Sequence, residues 1–221
     1  MLSHAQARVI YDQLGAKQDA GAYYEEPALA NLLQHGRWAA MQSVLEFGCG
    51  TGSFAQKLLS HHLPPTACYM GMDQSRTMVQ LAASRLTAFG PRATVLLSGG
   101  AVKLLAADHT LDAVVSNYVL DLLAVADIES FLAEAHRVLR PEGLLCLVGL
   151  TYGNTPLSRL VMAGWQLRYQ IRPASVGGCR PMRLTAFLDR RLWRLRHTAV
   201  ITVRGLASEV LIATAHPVRR E

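Results

Sequence analysis

The segment V-L-E-F-G-C-G-T-G at residues 44–52 constrains the fold of this chain more than any other. Apolar residues precede Glu46, and glycines then alternate with other residues, namely Gly48, Gly50 and Gly52. Residues 53–59 have helix-forming composition, so the segment predicts a strand, a tight turn and a helix. A glycine has no Cβ to resist positive φ or to keep a ligand away from the backbone. The turn is therefore a candidate ligand site.

The acid at Glu46 narrows the kind of ligand that this turn can hold. A phosphate-binding loop offers backbone N–H groups and a lysine, whereas a carboxylate suits a cation, or hydroxyl and amino groups. The dinucleotide fingerprint G-x-G-x-x-G would also require glycine at position 53, which is Ser53 in this chain. The sequence thus favours a ligand other than a dinucleotide.

Predicted strands and helices alternate after the glycine turn. Further strands are predicted at residues 67–72, 94–97, 111–116 and 144–150, and further helices at 74–89 and 127–139. We expect Asp127 to cap the second of these helices. Asp73 ends the second strand about 20 residues beyond the last loop glycine, where an acid accepts both ribose hydroxyls of a nucleoside. The alternation predicts an α/β fold with a doubly wound, mostly parallel sheet.

The remaining segments are predicted to surround this core within a single domain, 1–221. Residues 1–41 form a helical N-terminal cap, with helices at 5–14 and 27–38 and Pro27 in a first turn. The core spans 42–150, and an inserted lid spans 151–190, with helices around 156–170 and 182–188 and a loop at 177–179. Residues 191–221 supply the last two strands, an antiparallel hairpin of 198–203 and 209–214.

Composition excludes several classes of protein. Hydrophobic residues make up 51% and charged residues 17% of the 221 residues, which argues against disorder. The N-terminus lacks the pattern of a secretory signal, and no apolar run approaches the roughly 18 residues of a membrane span. The four cysteines are scattered, which argues against a metal site or a disulfide framework. A cytoplasmic location fits these features best.

The net charge of +6 is concentrated in the lid. Between Thr151 and Arg196 the only acid is Asp189, and the arginines are Arg159, Arg168, Arg172, Arg180, Arg183, Arg190, Arg191, Arg194 and Arg196. These arginines indicate either a negatively charged partner, such as a carboxylate, phosphate, lipid headgroup or RNA, or an ordinary solvated surface. The sequence leaves both interpretations open.

Four segments in this order resemble a known family. They are V-L-E-F-G-C-G-T-G at 44–52, G-M-D-Q-S at 71–75, L-D-A-V-V-S-N-Y-V-L at 111–120 and H-R-V-L-R-P-E-G-L-L at 136–145. Together they resemble the class I S-adenosylmethionine-dependent methyltransferases, which have a Rossmann-like fold, and the last is similar to the branch that includes quinone-biosynthesis and small-molecule enzymes. The resemblance covers roughly residues 11–213.

The resemblance implies S-adenosylmethionine as the cofactor and a set of residues around it. Glu46 and the glycines would line the methionine part, Asp73 would hold the ribose, and Gln74 and Met78 would lie near the adenine. Relatives often have G-D-A where this chain has Gly99, Gly100 and Ala101, so the acid that accepts from the adenine amino group is absent. The full set implied is Tyr11, Glu46, Gly48, Cys49, Gly50, Gly52, Asp73, Gln74, Met78, Gly100, Ala101 and Asn117.

Methyl transfer from a sulfonium is an in-line displacement that depends mainly on alignment and desolvation. A base is needed only where the acceptor must lose a proton, so the catalytic residues are less constrained than the cofactor site. Tyr118 and Asn117, at the end of the fourth strand, are the catalytic candidates, although Tyr118 equally fits aromatic packing. Other candidates at the strand ends or covers are Tyr23, Tyr24, Asp121, Tyr152, Trp165 and Arg180.

Histidines and cysteines are interpreted as structural. His136 precedes the fifth strand, away from the ligand edge, and is interpreted as a surface residue. Cys179, between Gly178 and Arg180, is the cysteine to test for reactivity, although an inert thiol is favoured.

The predicted function is methyl transfer to a small organic acceptor, anionic or apolar. The alternatives are a lipid or quinone precursor, RNA or protein as acceptor, or a protein that binds the cofactor without turnover. An apolar stripe around Trp165, flanked by arginines, indicates either a helix packed on the sheet or a surface for an apolar acceptor. The sequence predicts neither the oligomeric state nor the acceptor.

Overall fold

The computed structural model describes residues 3–99 and 102–216, with backbone only for 20–22. The strands are β1 Ser43–Phe47, β2 Cys68–Asp73, β3 Ala93–Leu97, β4 Leu111–Asn117, β5 Leu139–Leu150, β6 Trp193–Val203 and β7 Leu206–Ala215. The α-helices are α1 His4–Leu14, α2 Ala22–His35, α3 Ser53–His61, α4 Arg76–Leu86, α5 Val125–Val138 and α6 Pro156–Ile171. Short 3-10 helices include Gly15–Gly21, Leu120–Leu122, Pro173–Val176 and Leu184–Phe187.

The strands form a seven-stranded sheet with the order β3-β2-β1-β4-β5-β7-β6. The first five strands in this order run parallel, β7 pairs antiparallel with β5, and β6 pairs antiparallel with β7. The predicted α/β fold, with a mostly parallel sheet and an antiparallel C-terminal hairpin, is confirmed. The chain reverses its direction of winding between β1 and β4, and ligands of open α/β sheets bind at the carboxyl ends of the strands beside such a reversal.

The core lies on both faces of the sheet. Successive residues of a strand point to opposite faces, so Val44 packs in the cluster with α2 and α3, and Leu45 in the cluster with α5. Strands that are covered on both faces consist of consecutive apolar residues, as β5 does at residues 144–150. The sheet edge that carries the glycine turn is thus supported from both sides.

Several predicted boundaries differ from the structure. α2 begins at Ala22, so Pro27 lies inside the helix rather than in its first turn. α5 is capped by Ala124, and Asp127 lies in its first turn, where an acid is also favoured by the helix dipole. α4 begins at Arg76 because the Ser75 side chain caps it by accepting from the backbone N–H of Met78.

The strands at the C-terminal end are longer than predicted. β5 begins at Leu139 and includes Pro141, and β6 begins at Trp193. The alternation of apolar and polar residues that would predict a strand is obscured in 193–197, because β6 is an edge strand and carries exposed arginines. The division into cap, core, lid and C-terminal strands within one domain stays a prediction. In the described part of the chain, no helix has both the length and the apolar character needed to cross a membrane.

Asp112 ties the starts of three strands together. One carboxylate oxygen accepts from the backbone N–H groups of Gln42 and Ser43, at 2.8 and 2.9 Å, and the other accepts from Arg140 at 2.7 Å. Burial raises the pKa of Asp112, but these hydrogen bonds outweigh it and hold the pKa below its usual value. The carboxylate therefore stabilises the registration of β1 with β4 and β5.

We expect Asp112→Ala to lower the free energy of unfolding by about 1–3 kcal/mol near neutral pH, because the partly buried N–H of Ser43 and the exposed N–H of Gln42 lose their acceptor. A carboxyl with a lowered folded pKa stabilises above its unfolded pKa, so the difference should shrink as pH falls below about 4. Urea unfolding at several pH values measures it. Asp108→Ala, which removes an exposed partner of Arg137, is the control, with an expected cost under about 1 kcal/mol. Equal losses in both variants would contradict the assignment.

Candidate functional site

The glycine turn between β1 and α3 borders a cavity at the carboxyl edge of the sheet. Gly48, Gly50 and Gly52 all have positive φ, at 76°, 51° and 77°. A Cβ on Gly48 would lie 2.3 Å from a Val119 methyl, and one on Gly52 would lie 3.0 Å from the Cα of Ala82. A Cβ on Gly50 would meet nothing within 4 Å. Gly48 and Gly52 are therefore required by packing, whereas Gly50 is the glycine with open space beside it.

Glu46 is buried at the end of β1, with 2% of its surface exposed. The Tyr69 hydroxyl on β2 donates to one carboxylate oxygen at 2.6 Å, and the Asn117 amide on β4 donates to the other at 3.1 Å. Burial raises the pKa of Glu46 to about 8, although both hydrogen bonds act to lower it. The carboxyl group is thus held across three neighbouring strands in an environment that disfavours its charge.

Neither Tyr69 nor Gly71 was predicted from the sequence to support Glu46. Tyr69 lies two residues before Gly71 on the same face of β2, and a Cβ on Gly71 would lie 2.9 Å from the Tyr69 hydroxyl. Gly71 is paired with Glu46 in the sheet register. The sequence feature that could have predicted this contact is Gly71, because a glycine inside an otherwise apolar strand indicates a close approach to neighbouring atoms.

Asn117 presents an unsatisfied acceptor at the cavity. Its amide nitrogen donates to Glu46, but its buried Oδ1 has no hydrogen-bond partner among the described residues. Asn117 is also part of the cavity lining. A buried acceptor without a partner is costly, so this side chain fits a ligand that donates a hydrogen bond.

Asp73 joins the second strand to the glycine turn. Its carboxylate accepts from the backbone N–H of Gly50 and from that of Ser75, each at 2.9 Å. Burial raises the pKa of Asp73, while its backbone hydrogen bonds lower it. Each carboxylate oxygen retains a second lone pair, so Asp73 can also accept from ligand hydroxyls.

The cavity is lined by acids in a protein whose net charge is positive. Its acidic lining residues are Asp19, Glu25, Glu26, Glu46 and Asp73. Among the described residues of the lining there is no lysine or arginine. Arg85 bonds Asp19 and Lys57 bonds Glu26 from outside it. The cavity therefore favours a cationic ligand and disfavours phosphates and carboxylates.

The N-terminal segment covers the cavity. Tyr11 belongs to the lining, and its hydroxyl lies 3.9 Å from the Cys179 thiol. Asp12 accepts from the Ser75 hydroxyl at 2.5 Å, which ties α1 to the start of α4. The 3-10 helix that follows is tied to the glycine turn, because Asp19 accepts from the Thr51 hydroxyl at 2.6 Å.

The other residues implied by the resemblance fall into three groups. Cys49 and Gln74 line the cavity with the residues already described. Met78, which is 1% exposed, and Gly52 are both buried and are not part of the lining. Gly100 and Ala101 lie outside the described residues.

Tyr118 lies in the cavity wall with its hydroxyl directed to the sheet. The hydroxyl donates to the Ser208 hydroxyl at 2.8 Å, and the ring packs edge to face against Tyr24, with 5.9 Å between centroids. Burial raises the pKa of Tyr118 above its usual value. The ring therefore shapes the cavity, whereas the oxygen is engaged in a structural hydrogen bond.

Asp121, beneath the lid, is buried and outside the cavity lining. Its carboxylate accepts from the backbone N–H of Leu150 at 3.3 Å, and burial raises its pKa to about 7. Arg180 donates to the backbone oxygens of Asp121 and Leu123. The other cover residues that are outside the lining are Tyr23, Tyr24, Tyr152, Trp165 and Arg180.

The interpretation of His136 as a surface residue is wrong. Its side chain is buried, its Nε2 lies 3.0 Å from the His216 backbone oxygen, and its ring packs against Trp193. The burial comes from the C-terminal hairpin, which local sequence does not place. His136 is nevertheless outside the lining of the cavity.

Two cysteine thiols, those of Cys49 and Cys179, approach the site. Burial raises the pKa values of Cys49 and Cys179 well above their usual range. The exposed cysteine is Cys68, at the opposite end of β2 from Asp73. Among residues 3–99 and 102–216, no three His, Cys, Asp or Glu side chains are grouped so that they could hold a metal ion.

Glu25 is the acid of the cavity that sequence reasoning missed. It lies on α2 beside Tyr24, and burial raises its pKa, with further increases from Asp19 and Glu26 and an opposing hydrogen bond from Tyr24. None of the salt bridges of the described residues involves Glu25. The sequence feature that could have indicated it is the polar and aromatic segment 15–26, which connects the two predicted helices of the N-terminal cap.

The strand order and the site at the switch point define the Rossmann-like class of nucleotide-binding folds. Within that class, residues 44–143 match a family model described as a methyltransferase domain. This part of the chain is similar to methyltransferase domains, in agreement with the resemblance of its motifs to the class I methyltransferases.

Named relatives extend this comparison over part of the chain. A demethylmenaquinone methyltransferase of Lactobacillus johnsonii is 27% identical over 130 residues, which are 58% of this chain and 51% of that protein. A ubiquinone/menaquinone biosynthesis C-methyltransferase of Desulfotalea psychrophila is 40% identical over 105 residues, which are 47% of this chain and 40% of the relative. The alignments therefore cover about half the length of each relative or less.

A solved structure shares the fold over nearly the whole chain. The [4+2]-cyclase SpnF superposes with a TM-score of 0.73 and 15% identity, over 97% of both chains. At this identity the likeness concerns the fold alone.

We expect the buried Glu46 to destabilise the ligand-free protein at high pH. Its pKa is about 8 in the folded state against an ordinary 4.5, so between these values the folded state binds the extra proton and stability falls as pH rises. Glu46→Gln keeps an acceptor for Tyr69 without the charge. It should be more stable than the wild type by about 2–4 kcal/mol above about pH 8, with little difference near pH 5.

Chemical unfolding of the ligand-free proteins at several pH values measures this difference. Glu26→Gln, which removes an exposed carboxylate beside Lys57, is the matched control and should follow the wild-type pH profile. Parallel profiles for the wild type and Glu46→Gln would show that the carboxyl group is not held with a raised pKa.

Proposed function

We propose that this protein transfers a methyl group from S-adenosylmethionine to a small apolar acceptor bound in the acidic cavity. The observation that carries the proposal is Glu46, a buried carboxyl group with a raised pKa at the glycine turn. A cation beside it would offset the cost of its charge. The methyltransferase family match over residues 44–143 supports the same reaction.

The chain's own groups fit such a cofactor. Glu46 and the Asn117 Oδ1 atom, which lacks a partner among the described residues, would accept from the ammonium group, and Gly50 leaves room for the methionine part. Asp73 would accept from the ribose hydroxyls and Gln74 would border the base. When bound, the cofactor supplies an electrophilic methyl group on a positively charged sulfur. The protein contributes alignment and the exclusion of water.

The cavity favours a neutral, apolar acceptor over an anionic one. Its apolar walls include Ala7, Leu29, Phe47, Val119, Leu122 and Leu123. The described lining holds no lysine or arginine that would pair with a carboxylate or phosphate, and its histidine, His4, is paired with Asp127. Relatives named for demethylmenaquinone and ubiquinone biosynthesis support an apolar ring compound as the acceptor class.

Glu25 is proposed as the base where the acceptor must lose a proton. It lines the cavity on the helical cover, facing the edge where Asn117 and the glycine turn lie. A carboxylate whose pKa is raised by burial is a stronger base near neutral pH than an exposed one. Tyr118 is less suited to proton transfer because its hydroxyl donates to Ser208.

A second candidate function is a reaction other than methyl transfer on the same fold. The likeness to a protein named as a [4+2]-cyclase shows that neighbours of this fold have been assigned other reactions. Product analysis distinguishes the two functions, because methyl transfer adds one methyl group to the acceptor and converts the cofactor to its demethylated product.

Cofactor binding tests the first step of the proposal. We expect the wild type to bind S-adenosylmethionine with release of protons at neutral pH, because Glu46 must ionise to pair with the ligand. Glu46→Gln should lower the affinity about 100-fold, equivalent to roughly 3 kcal/mol, and should suppress the proton release. Calorimetry in two buffers of different ionisation enthalpy measures both quantities, with Asp108→Asn, an exposed carboxylate outside the lining, as the control. Unchanged affinity in Glu46→Gln would refute this role.

The role of Glu25 is tested by turnover with a demethylquinone-type acceptor. We expect Glu25→Gln to lower kcat by about 10²–10⁴-fold, to remove the acidic limb of the pH profile, and to leave cofactor affinity unchanged. Glu25→Asp should retain part of the activity. If kcat and the pH profile of Glu25→Gln match those of the wild type, Glu25 is not the base.

A further inference from the structure

One face of α6 presents large aliphatic side chains to solvent. Leu157, Leu160, Leu167 and Ile171 are 65%, 72%, 58% and 76% exposed. They recur at intervals of three, seven and four residues, with Gly164 between, so they lie on a single stripe of the helix. Such a contiguous apolar surface is uncommon on a monomeric protein and marks an interaction site.

The opposite face of α6 is firmly packed, so the exposed stripe belongs to an ordered helix. Ser158, Met162 and Tyr169 are buried against the sheet and the C-terminal hairpin. The Met162 sulfur accepts from the Ala207 backbone N–H at 3.4 Å. Thr155 and Ser158 form a capping box at the start of the helix. The helix is therefore apolar on both sides, and one side has no cover among the described residues.

Basic residues border the exposed stripe. Arg159, Arg168 and Arg172 are exposed, with Arg159 on one flank of the stripe and Arg168 on the other at helical spacing. α6 contains no acid, and Asp189 is the only acid between residues 151 and 196. The surface thus combines aliphatic side chains with uncompensated positive charge.

Charge favours an anionic lipid surface over a second copy of this chain. Two copies that paired through this stripe would bring their arginine flanks together, and like charges at an interface are repulsive. A bilayer with anionic lipids accepts the aliphatic side chains between its acyl chains and the arginines at its headgroups. A helix that is apolar on one face and basic at its flanks has the composition of an interfacial helix.

We infer that α6 is a membrane-docking surface that binds anionic phospholipid bilayers, with Leu157, Leu160, Leu167 and Ile171 inserted and its arginines at the headgroups. The inner side of the same segment adjoins the cavity. Trp165 donates to the Cys179 backbone oxygen at 3.0 Å, and the Cys179 thiol lies beside Tyr11 of the cavity lining. Docking would place the acidic cavity close to a source of apolar molecules.

Cosedimentation with vesicles tests the inference independently of the proposed reaction. The full chain is mixed with vesicles of equal phosphatidylglycerol and phosphatidylcholine, or of phosphatidylcholine alone. We expect binding to the mixed vesicles that weakens with added salt, and binding to phosphatidylcholine weaker by about tenfold or more. Leu160→Glu/Ile171→Glu should reduce the partition coefficient at least about tenfold, because two inserted aliphatic groups are lost.

Matched variants separate the surface from general effects. Val125→Glu replaces an aliphatic residue on α5 that is 53% exposed, and this variant should bind as the wild type does. Arg159→Glu/Arg172→Glu should lose binding to mixed vesicles while keeping its thermal unfolding temperature. The inference is overturned if the wild type does not bind mixed vesicles at low salt, or if Leu160→Glu/Ile171→Glu binds them undiminished. It is also overturned if sedimentation velocity shows a dimer that this variant dissociates and vesicles do not displace.

Discussion

The site depends on a carboxyl group that the folded protein holds at a cost. Glu46 lies inside a sheet buried on both faces, where ionisation is disfavoured, and its two hydrogen bonds from Tyr69 and Asn117 compensate only in part. The parallel order β2-β1-β4 brings these three residues together, because each belongs to a different strand. In the proposed function, a cation bound beside Glu46 would offset the cost of its charge, so cofactor binding would be linked to the stability of the sheet.

The glycines near Glu46 have different structural roles in the turn. Gly48 and Gly52 allow Val119 and the backbone of α4 to pack closely, so they fix the shape of the turn. Gly50 has open space, and its N–H is held by Asp73, so it fixes where a ligand can approach. Gly71 makes room for the Tyr69 hydroxyl that holds Glu46. A substitution at each of these four glycines would therefore disturb a different contact, although Gly48, Gly50 and Gly52 are equivalent in the sequence motif.

The sequence predicted the features that depend on short spacings along the chain, and it missed those that depend on tertiary contacts. The glycine turn, Glu46 and Asp73 follow one another along consecutive strands, so their spacing alone predicted their meeting at the sheet edge. Tyr69 acts across a strand pair, and the burial of His136 depends on Trp193 from the C-terminal hairpin. The resemblance implied that Met78 lies near the adenine, and in the structure Met78 is buried, with its backbone N–H bonded to the Ser75 hydroxyl that caps α4. Glu25 reaches the cavity only through the packing of α2.

The charges of the protein are separated in space, and the separation constrains the acceptor. The described lining contains five acids and no lysine or arginine, whereas Arg180 in the lid binds backbone oxygens and Arg159 and Arg168 lie exposed on α6. The lid arginines therefore cannot neutralise an anionic acceptor inside the cavity. The acidic and apolar lining therefore supports the proposed neutral acceptor over an anionic one. The acids of the lining thus disfavour anions in the cavity, whereas the exposed arginines of α6 belong to the outer surface that is proposed to bind them.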